Sequence, residues 1–247
     1  MPDRNRILFL LISLAMLMHG QGVLALEISA SLMAPLAGQS SSFSYDDPSR
    51  HYYEISSASQ QSPVADLQIQ LNDHSRVGVS LGRLHGNQLG SVPFGFFNLP
   101  ATGTWQFDRL ASWYERDLTM PPLRTSLRVG LNVFDGKMSA QIAPPMLETY
   151  SIQVIIPVPL IGLSLRVPLN ERWAIGGHHD RSALHVAGNR MDMAETRIEL
   201  QYQWSPAITA ALGYRRHRLD LSYAHDDIQA ALAVKLNTPY LLATYIF

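Results

Sequence analysis

Cysteine is absent from the 247 residues. Its absence excludes a disulfide framework, a thiolate nucleophile and any cysteine-based metal site, and it suits an exported protein. Charge is sparse as well: Lys and Arg number 19, Asp and Glu 20, and the formal net charge is −1. With 16% charged residues there is no single-sign field and no basic stripe, so nucleic-acid binding is set aside. Also missing is any run of 18 uninterrupted apolar residues, so no segment supplies the roughly 20 needed to cross a bilayer as a helix. A chain of this kind can span a membrane only as a closed barrel, in which every backbone polar group is paired between strands.

What is present begins with a processing signal. Arg4 and Arg6 precede the apolar run Ile7 to Met18, Gly20 breaks it, and Val23-Leu24-Ala25 offers small residues at a cleavage point. Residues 1–25 therefore read as a secretory signal peptide. Cleavage after Ala25 leaves 247 − 25 = 222 residues, and with no cysteine behind that point a lipid-modified N-terminus is excluded. Mean hydropathy is close to zero, as expected of strands with one face toward lipid and the other toward a polar lumen.

Strict alternation carries the fold assignment. Leu26, Ile28, Ala30 and Leu32 alternate with Glu27, Ser29 and Ser31. Ala65, Leu67, Ile69 and Leu71 alternate with Asp66, Gln68, Gln70 and Asn72, and after the turn Asn72-Asp73-His74-Ser75 come Val77, Val79 and Leu81, which predicts a hairpin. Trp105 to Glu115 alternates poorly, and a bulge is expected there. Leu127, Val129, Leu131 and Val133 oppose Arg128, Gly130 and Asn132; Ile161 to Leu169 oppose Gly162, Ser164, Arg166 and Pro168; Thr196 to Trp204 oppose Arg197, Glu199, Gln201 and Gln203. Leu219, Leu221 and Tyr223 are out of phase with Ile208 to Tyr214, so either a bulge near 216–218 or a strand already outside the membrane is expected.

Connection lengths orient the barrel. Links at 72–75, 118–121, 170–172 and 205–206 are short and are assigned to the periplasm; those at 35–63, 86–103, 135–160, 183–193 and 224–227 are mostly longer and are assigned to the outside. Trp173, Trp204 and Phe247 fall at the short-turn or terminal ends of their strands, where one interfacial aromatic girdle belongs. Tyr52, Tyr53, Phe94, Phe96, Phe97 and Trp105 lie in or beside the outer loops, as a second belt or a partner-contacting surface.

Over residues 122–247 the chain resembles small proteobacterial outer-membrane barrel proteins, porin-like or outer membrane protein A-like. The resemblance rests on Gly130-Leu131-Asn132-Val133-Phe134-Asp135, on Pro157-Val158-Pro159-Leu160-Ile161-Gly162-Leu163, on Gly213-Tyr214-Arg215 and on the closing Pro239 to Phe247. None of these is a catalytic signature. The resemblance implies outer-membrane localisation and makes Tyr245 and Phe247, at the end of the closing strand, the signal read by the outer-membrane assembly machinery.

Two groups of residues are candidates for chemistry. By parity Arg124, Arg128, Arg166, Arg197, Glu199 and Arg215 point inward, either as part of a packed, salt-bridged interior or as an arginine constriction that favours anions in a narrow pore. Glu27, Asp66, Asp108, Glu115 and Glu195 are expected to supply the balancing charge. His178, Asp180 and Ser182 share a strand face, and some outer-membrane barrels that modify lipid use a histidine base with a serine nucleophile near the outer leaflet. Same-face neighbours lie about 7 Å apart along a strand, so His178 reaches Ser182 only through a bend or a cross-strand partner. Metal capture by His178, His179 and His185 is a weak alternative, and no metal or cofactor is expected.

The sequence thus predicts an all-β, transmembrane, antiparallel up-and-down barrel over 26–247, with about ten strands and with eight or twelve as the other even counts. The expected protein is a monomer in the outer membrane, in contact with its lipid and lipopolysaccharide. Its expected role is structural or a narrow solute passage without catalysis. The alternatives are an outer-leaflet lipid-modifying enzyme and a surface adhesion or partner-binding barrel.

Overall fold

A computed structural model describes the backbone of residues 27–36, 39–47, 50–61, 63–94, 97–119, 122–142, 149–186, 189–225 and 228–247; the side chains at 37–62, 88–101, 142–152 and 223–232 are outside the description. The signal peptide expected at 1–25 also lies outside the described residues. Twelve strands follow one another: β1 (Glu27–Pro35), β2 (Gln39–Asp47), β3 (Arg50–Gln61), β4 (Val64–Asn72), β5 (Ser75–Phe94), β6 (Phe97–Asp117), β7 (Arg124–Ile142), β8 (Thr149–Pro168), β9 (Trp173–Val186), β10 (Asn189–Ser205), β11 (Ile208–His225) and β12 (Ile228–Ile246). All pairings are antiparallel, and β1 closes the sheet on β12 from Ser29 opposite Ile246 to Pro35 opposite Tyr240.

The barrel has ten walls. Nearest the periplasm the ring runs β1, β4, β5 and on through β12; farther out β2 and β3 take the places of β1 and β4, with β2 on β12 and β3 on β5. The first wall is thus β1 continued by β2, and the second is β3 continued by β4. In the periplasmic half the ring is paired all the way round, which is the condition for burying backbone in lipid; farther out β3 meets β5 only from Ala58 to Gln61, and β8 meets β9 only from Leu160 to Pro168.

The periplasmic turns are tight and have side-chain support. Asn72 Oδ1 accepts from the His74 amide at 2.9 Å, and Asn170 Oδ1 accepts from the amides of Arg172 and Trp173, each at 2.9 Å. These are the Asx contacts that favour asparagine in turns. At the other end most of the segments expected to be loops continue as paired strand. Phe94 stands opposite Phe97, Gln141 opposite Thr149, Asn189 opposite Val186 and His225 opposite Ile228. Residues 35–63 likewise form the β2–β3 hairpin instead of a long loop.

Neither expected bulge is present. The register runs unbroken along β6 on both sides and along β11 from Ile208 to His225 against β12. The phase break on β11 fits the other expectation, a strand that has already left the membrane, and β6 shares the cause. Near the periplasm the outward side chains of β11, Ile208, Leu212 and Tyr214, are apolar and exposed; farther out Arg216 and Arg218 face outward while Leu219 and Leu221 are buried inside. On β6, Leu110 and Tyr114 face out near the periplasm, but Trp105 and Phe107 face in beyond Arg109. Where lipid stops, the outer face turns charged and the lumen turns apolar, so the hydrophobic pattern inverts without any change in register. Trp105 is therefore a core residue and not part of an outer aromatic belt.

Two clusters line the interior. The larger joins Leu84, Trp105, Phe107, Phe134, Val158, Met191, Met193, Leu219, Leu221, Val234 and Leu236, with Ile156 and Leu184 against it, so that every strand from β5 to β12 contributes. The smaller joins Met33, Val64 and Tyr240 with Leu242. Glycines opposite the rings make room: Gly78 faces Trp113, Gly86 faces Trp105, Gly136 faces Phe107 and Gly213 faces Tyr240 across paired strands. A Cβ at Gly78 would collide with the Trp113 indole, whereas one at the outward Gly177 would meet nothing within 4 Å. Gly78→Val is expected to lower unfolding stability by about 1–3 kcal/mol through overpacking. Gly177→Val is expected to leave the urea midpoint, followed by tryptophan fluorescence, where it was.

Candidate functional site

Between the periplasmic mouth and the apolar cluster the lumen holds two linked charge layers, each built from residues that alternate with lipid-facing ones. The lower layer centres on Glu115 of β6. Arg76 Nη2 lies 2.9 Å from Glu115 Oε1 and 2.7 Å from Asp117 Oδ1, Arg128 Nη2 lies 2.6 Å from Glu115 Oε2, and Ser164 Oγ donates to Glu115 Oε1 at 2.8 Å. Arg128 also stacks over the Trp113 ring at 4.1 Å and reaches Asp180 at 3.5 Å. Stacking and bidentate pairing need the planar guanidinium, and lysine could not reproduce them.

The upper layer centres on Glu195 of β10, which has no solvent exposure. Arg109 Nη1 and Arg215 Nη2 approach Glu195 Oε2 at 2.8 and 2.5 Å, Arg197 Nε lies 2.8 Å from Oε1, and His217 Nδ1 lies 3.4 Å from Oε2. Arg109 Nε donates to Asn132 Oδ1 at 2.8 Å, and Asn132 Nδ2 donates to Ser182 Oγ at 2.6 Å. Arg197 also faces Asp66 at 3.8 Å, while Tyr240 donates to Glu199 Oε2 at 2.8 Å. One carboxylate thus gathers three arginines from β6, β10 and β11, and positive charge exceeds negative at this centre.

Of the residues selected from sequence, Arg128, Arg197, Glu199 and Arg215 join these layers, whereas Arg124 and Arg166 face the periplasmic vestibule below them. Glu27, Asp66, Glu115 and Glu195 face inward. Asp108 does not. It sits on the outer surface and pairs with Arg83 at 2.5 Å. Arg76, Arg109 and His217 were missed, Arg109 because it lies where the lumen turns from polar to apolar and a single hydrophobic phase no longer marks the inward face; Asn132 was placed on the polar face but not singled out.

His178, Asp180 and Ser182 do share the lumenal face. His178 Nε2 is 2.7 Å from Asp180 Oδ2, but Ser182 Oγ is engaged by Asn132 and not by His178. The three are enclosed in the barrel interior and not presented to the outer leaflet, with Ser182 and Asp180 almost fully buried. No cross-strand partner completes a nucleophile–base pair among the described residues. His179 and His185 point to the opposite side of the wall from His178, so the three histidines do not converge. At the periplasmic rim Trp204 and Phe247 are the most exposed aromatics, at 75% and 72%, and Trp173 stacks 4.7 Å from Tyr202.

A vestibule of about 340 Å³ opens from the periplasmic mouth, where Ser29, Gln70, Arg124 and Arg166 line it, and reaches into both charge layers at Arg128 and Arg109. Its walls are polar, while the outward face of the same strands carries Leu32, Leu67, Leu81, Leu127, Leu163, Ile198, Leu212 and Leu241 exposed. An antiparallel barrel with that belt is a membrane-spanning structure.

No family model and no curated protein matches the chain. Among solved structures it is similar to the outer membrane protease OmpT from Escherichia coli, at 13% identity and a TM-score of 0.57, covering 91% of this chain and 99% of that one. The fold is that of an outer-membrane β-barrel. The translocator domain of the autotransporter NalP from Neisseria meningitidis matches with a TM-score of 0.48 and 10% identity over 98% of this chain and 95% of that one. Outer membrane protein OprG from Pseudomonas aeruginosa matches with a TM-score of 0.38 and 10% identity over 90% and 95%. The likeness to OmpT shows the fold alone.

Proposed function

We propose that the protein is a closed barrel with a structural role in the outer membrane, one that does not conduct solutes in its resting state. One observation carries this: the apolar cluster around Phe107, Phe134, Met193 and Leu219 fills the lumen directly beyond the Glu195 layer, and these four side chains are wholly excluded from water. An ion in transit would have to shed its hydration against a hydrocarbon interior, which opposes passage. Planar-bilayer recordings of the refolded protein are expected to show no discrete conductance steps. Anion-selective steps altered by Arg128→Ala or Arg166→Ala would overturn the reading.

A second observation bears on partners. Strands of 19 to 21 residues in β5 to β8 exceed the 9–11 that cross a bilayer, so roughly half of each projects outward. Just beyond the apolar belt, Arg181, Arg190, Arg216, Arg218 and Lys235 face outward on adjacent strands, accompanied by Asp192 and Asp220. This excess of positive charge lies at the depth of the outer-leaflet headgroups and suits the phosphates of lipopolysaccharide. Arg216→Glu with Arg218→Glu is expected to lower lipopolysaccharide co-purification with the monomeric barrel; unchanged recovery would sink this assignment.

A further inference from the structure

We infer that the periplasmic mouth of the barrel is a binding site for a soluble, phosphate-class anion, held by Arg124 and Arg166. The two arginines stand directly opposite each other on β7 and β8 and share the lumenal face. Like charges in that relation repel and destabilise a sheet. Every other lumenal arginine has a carboxylate: Arg76 and Arg128 share Glu115, while Arg109, Arg197 and Arg215 share Glu195. Among the described residues no carboxylate lies within ion-pairing distance of Arg124 or Arg166. The vestibule's carboxylates have other partners: Glu199 accepts from Tyr240 and from Gln201, Glu115 pairs with Arg76 and Arg128, Asp180 with His178, and Asp66 with Arg197, while Glu27 lines the same cavity outside ion-pairing distance of the two arginines.

The geometry around the pair is a receptacle and not a flat surface. The vestibule of about 340 Å³ above and a second cavity of about 430 Å³ beneath are both lined by Arg124, Arg166, Gln201 and Thr209. The lower cavity adds Arg172, with Glu171 as its one lining carboxylate. Two forked guanidiniums lining the same cavities suit a tetrahedral dianion, each able to donate two parallel hydrogen bonds. The apolar girdle lies on the other side of the wall, so the ligand comes from the periplasmic water and not from the phospholipid leaflet. This inference concerns the periplasmic side and stands whether or not the lumen conducts.

The test uses the exported protein extracted into a neutral detergent at low ionic strength, with inorganic pyrophosphate as the probe in calorimetric titration. Wild-type protein is expected to bind it, and Arg124→Gln with Arg166→Gln to weaken binding at least tenfold, while Lys137→Gln on the outer face leaves it unchanged. Relief of repulsion is expected to raise the ligand-free melting temperature of the double variant, a shift a purely structural pair would not produce. Wild-type protein that is folded yet does not bind, or binding equal in the double variant, would overturn the site. Displacement of pyrophosphate by phosphatidylglycerol doped into the micelles would overturn the soluble-anion assignment and give the arginines to a lipid headgroup.

Discussion

Glu195→Ala is expected to be the most damaging single substitution in the barrel. It removes the common partner of Arg109, Arg197 and Arg215, of which Arg109 and Arg215 are more than nine-tenths buried, and leaves them and His217 facing one another. Breaking a buried pair from one side costs about 3–5 kcal/mol, because the remaining charge is neither hydrated nor compensated. Here the remainder is a cluster of like charges, so the upper end of that range applies. The measurement is the urea midpoint in detergent, with the heat-modifiable gel shift as a folding check. Arg197 still has Asp66 at 3.8 Å and Arg109 still has Asn132, so Arg215 suffers most. Adding Arg215→Leu to Glu195→Ala is therefore expected to recover part of the loss, and a double variant no better than the single would refute this account of the layer.

Phe107→Ala is expected to cost nearly as much, for a different reason. The ring has no exposure, packs 5.9 Å from the Trp105 ring between centroids, and fills the space that Gly136 leaves on the neighbouring strand. Truncation deletes the apolar contacts and leaves a void that rigid strands cannot close, typically about 3–5 kcal/mol for a buried phenylalanine. Leu163→Ala, on the lipid face, leaves no such void because acyl chains move into the space, and its effect should be much smaller. Equal losses for Phe107→Ala and Leu163→Ala would mean that the outer lumen is not a packed core.

Much of the barrel was legible because a strand has a period of two and the membrane reads it directly. Ile161 to Leu169 against Gly162 to Pro168, and Thr196 to Trp204 against Arg197 to Gln203, needed no partner strand to reveal which face meets lipid. Illegible was the place where lipid ends. The poor alternation of 105–115 looked like a bulge, and the phase change after Tyr214 fitted either a bulge or a strand beyond the membrane, since sequence alone cannot tell an extra residue from a change of solvent on the two faces. For the same reason the outer segments with serine, glutamine and charge were read as loops, although their described residues continue as paired strand. His178, Asp180 and Ser182 share a face as the spacing requires, yet Ser182 took Asn132, which lies 50 residues away in the chain.

The sequence by itself determined that the chain is a transmembrane barrel of about ten strands, which side chains face lipid in its inner half, and that arginines line the interior. These follow from local periodicity, which needs only the pleat and an apolar solvent. Only the tertiary structure decided that Glu195 gathers three arginines, that the outer lumen is packed with hydrocarbon, and that Arg124 and Arg166 have no carboxylate within ion-pairing distance among the described residues. Those relations join residues on walls far apart in the chain. They depend on how the ten walls are staggered when β1 closes on β12, and the stagger is a property of the whole ring.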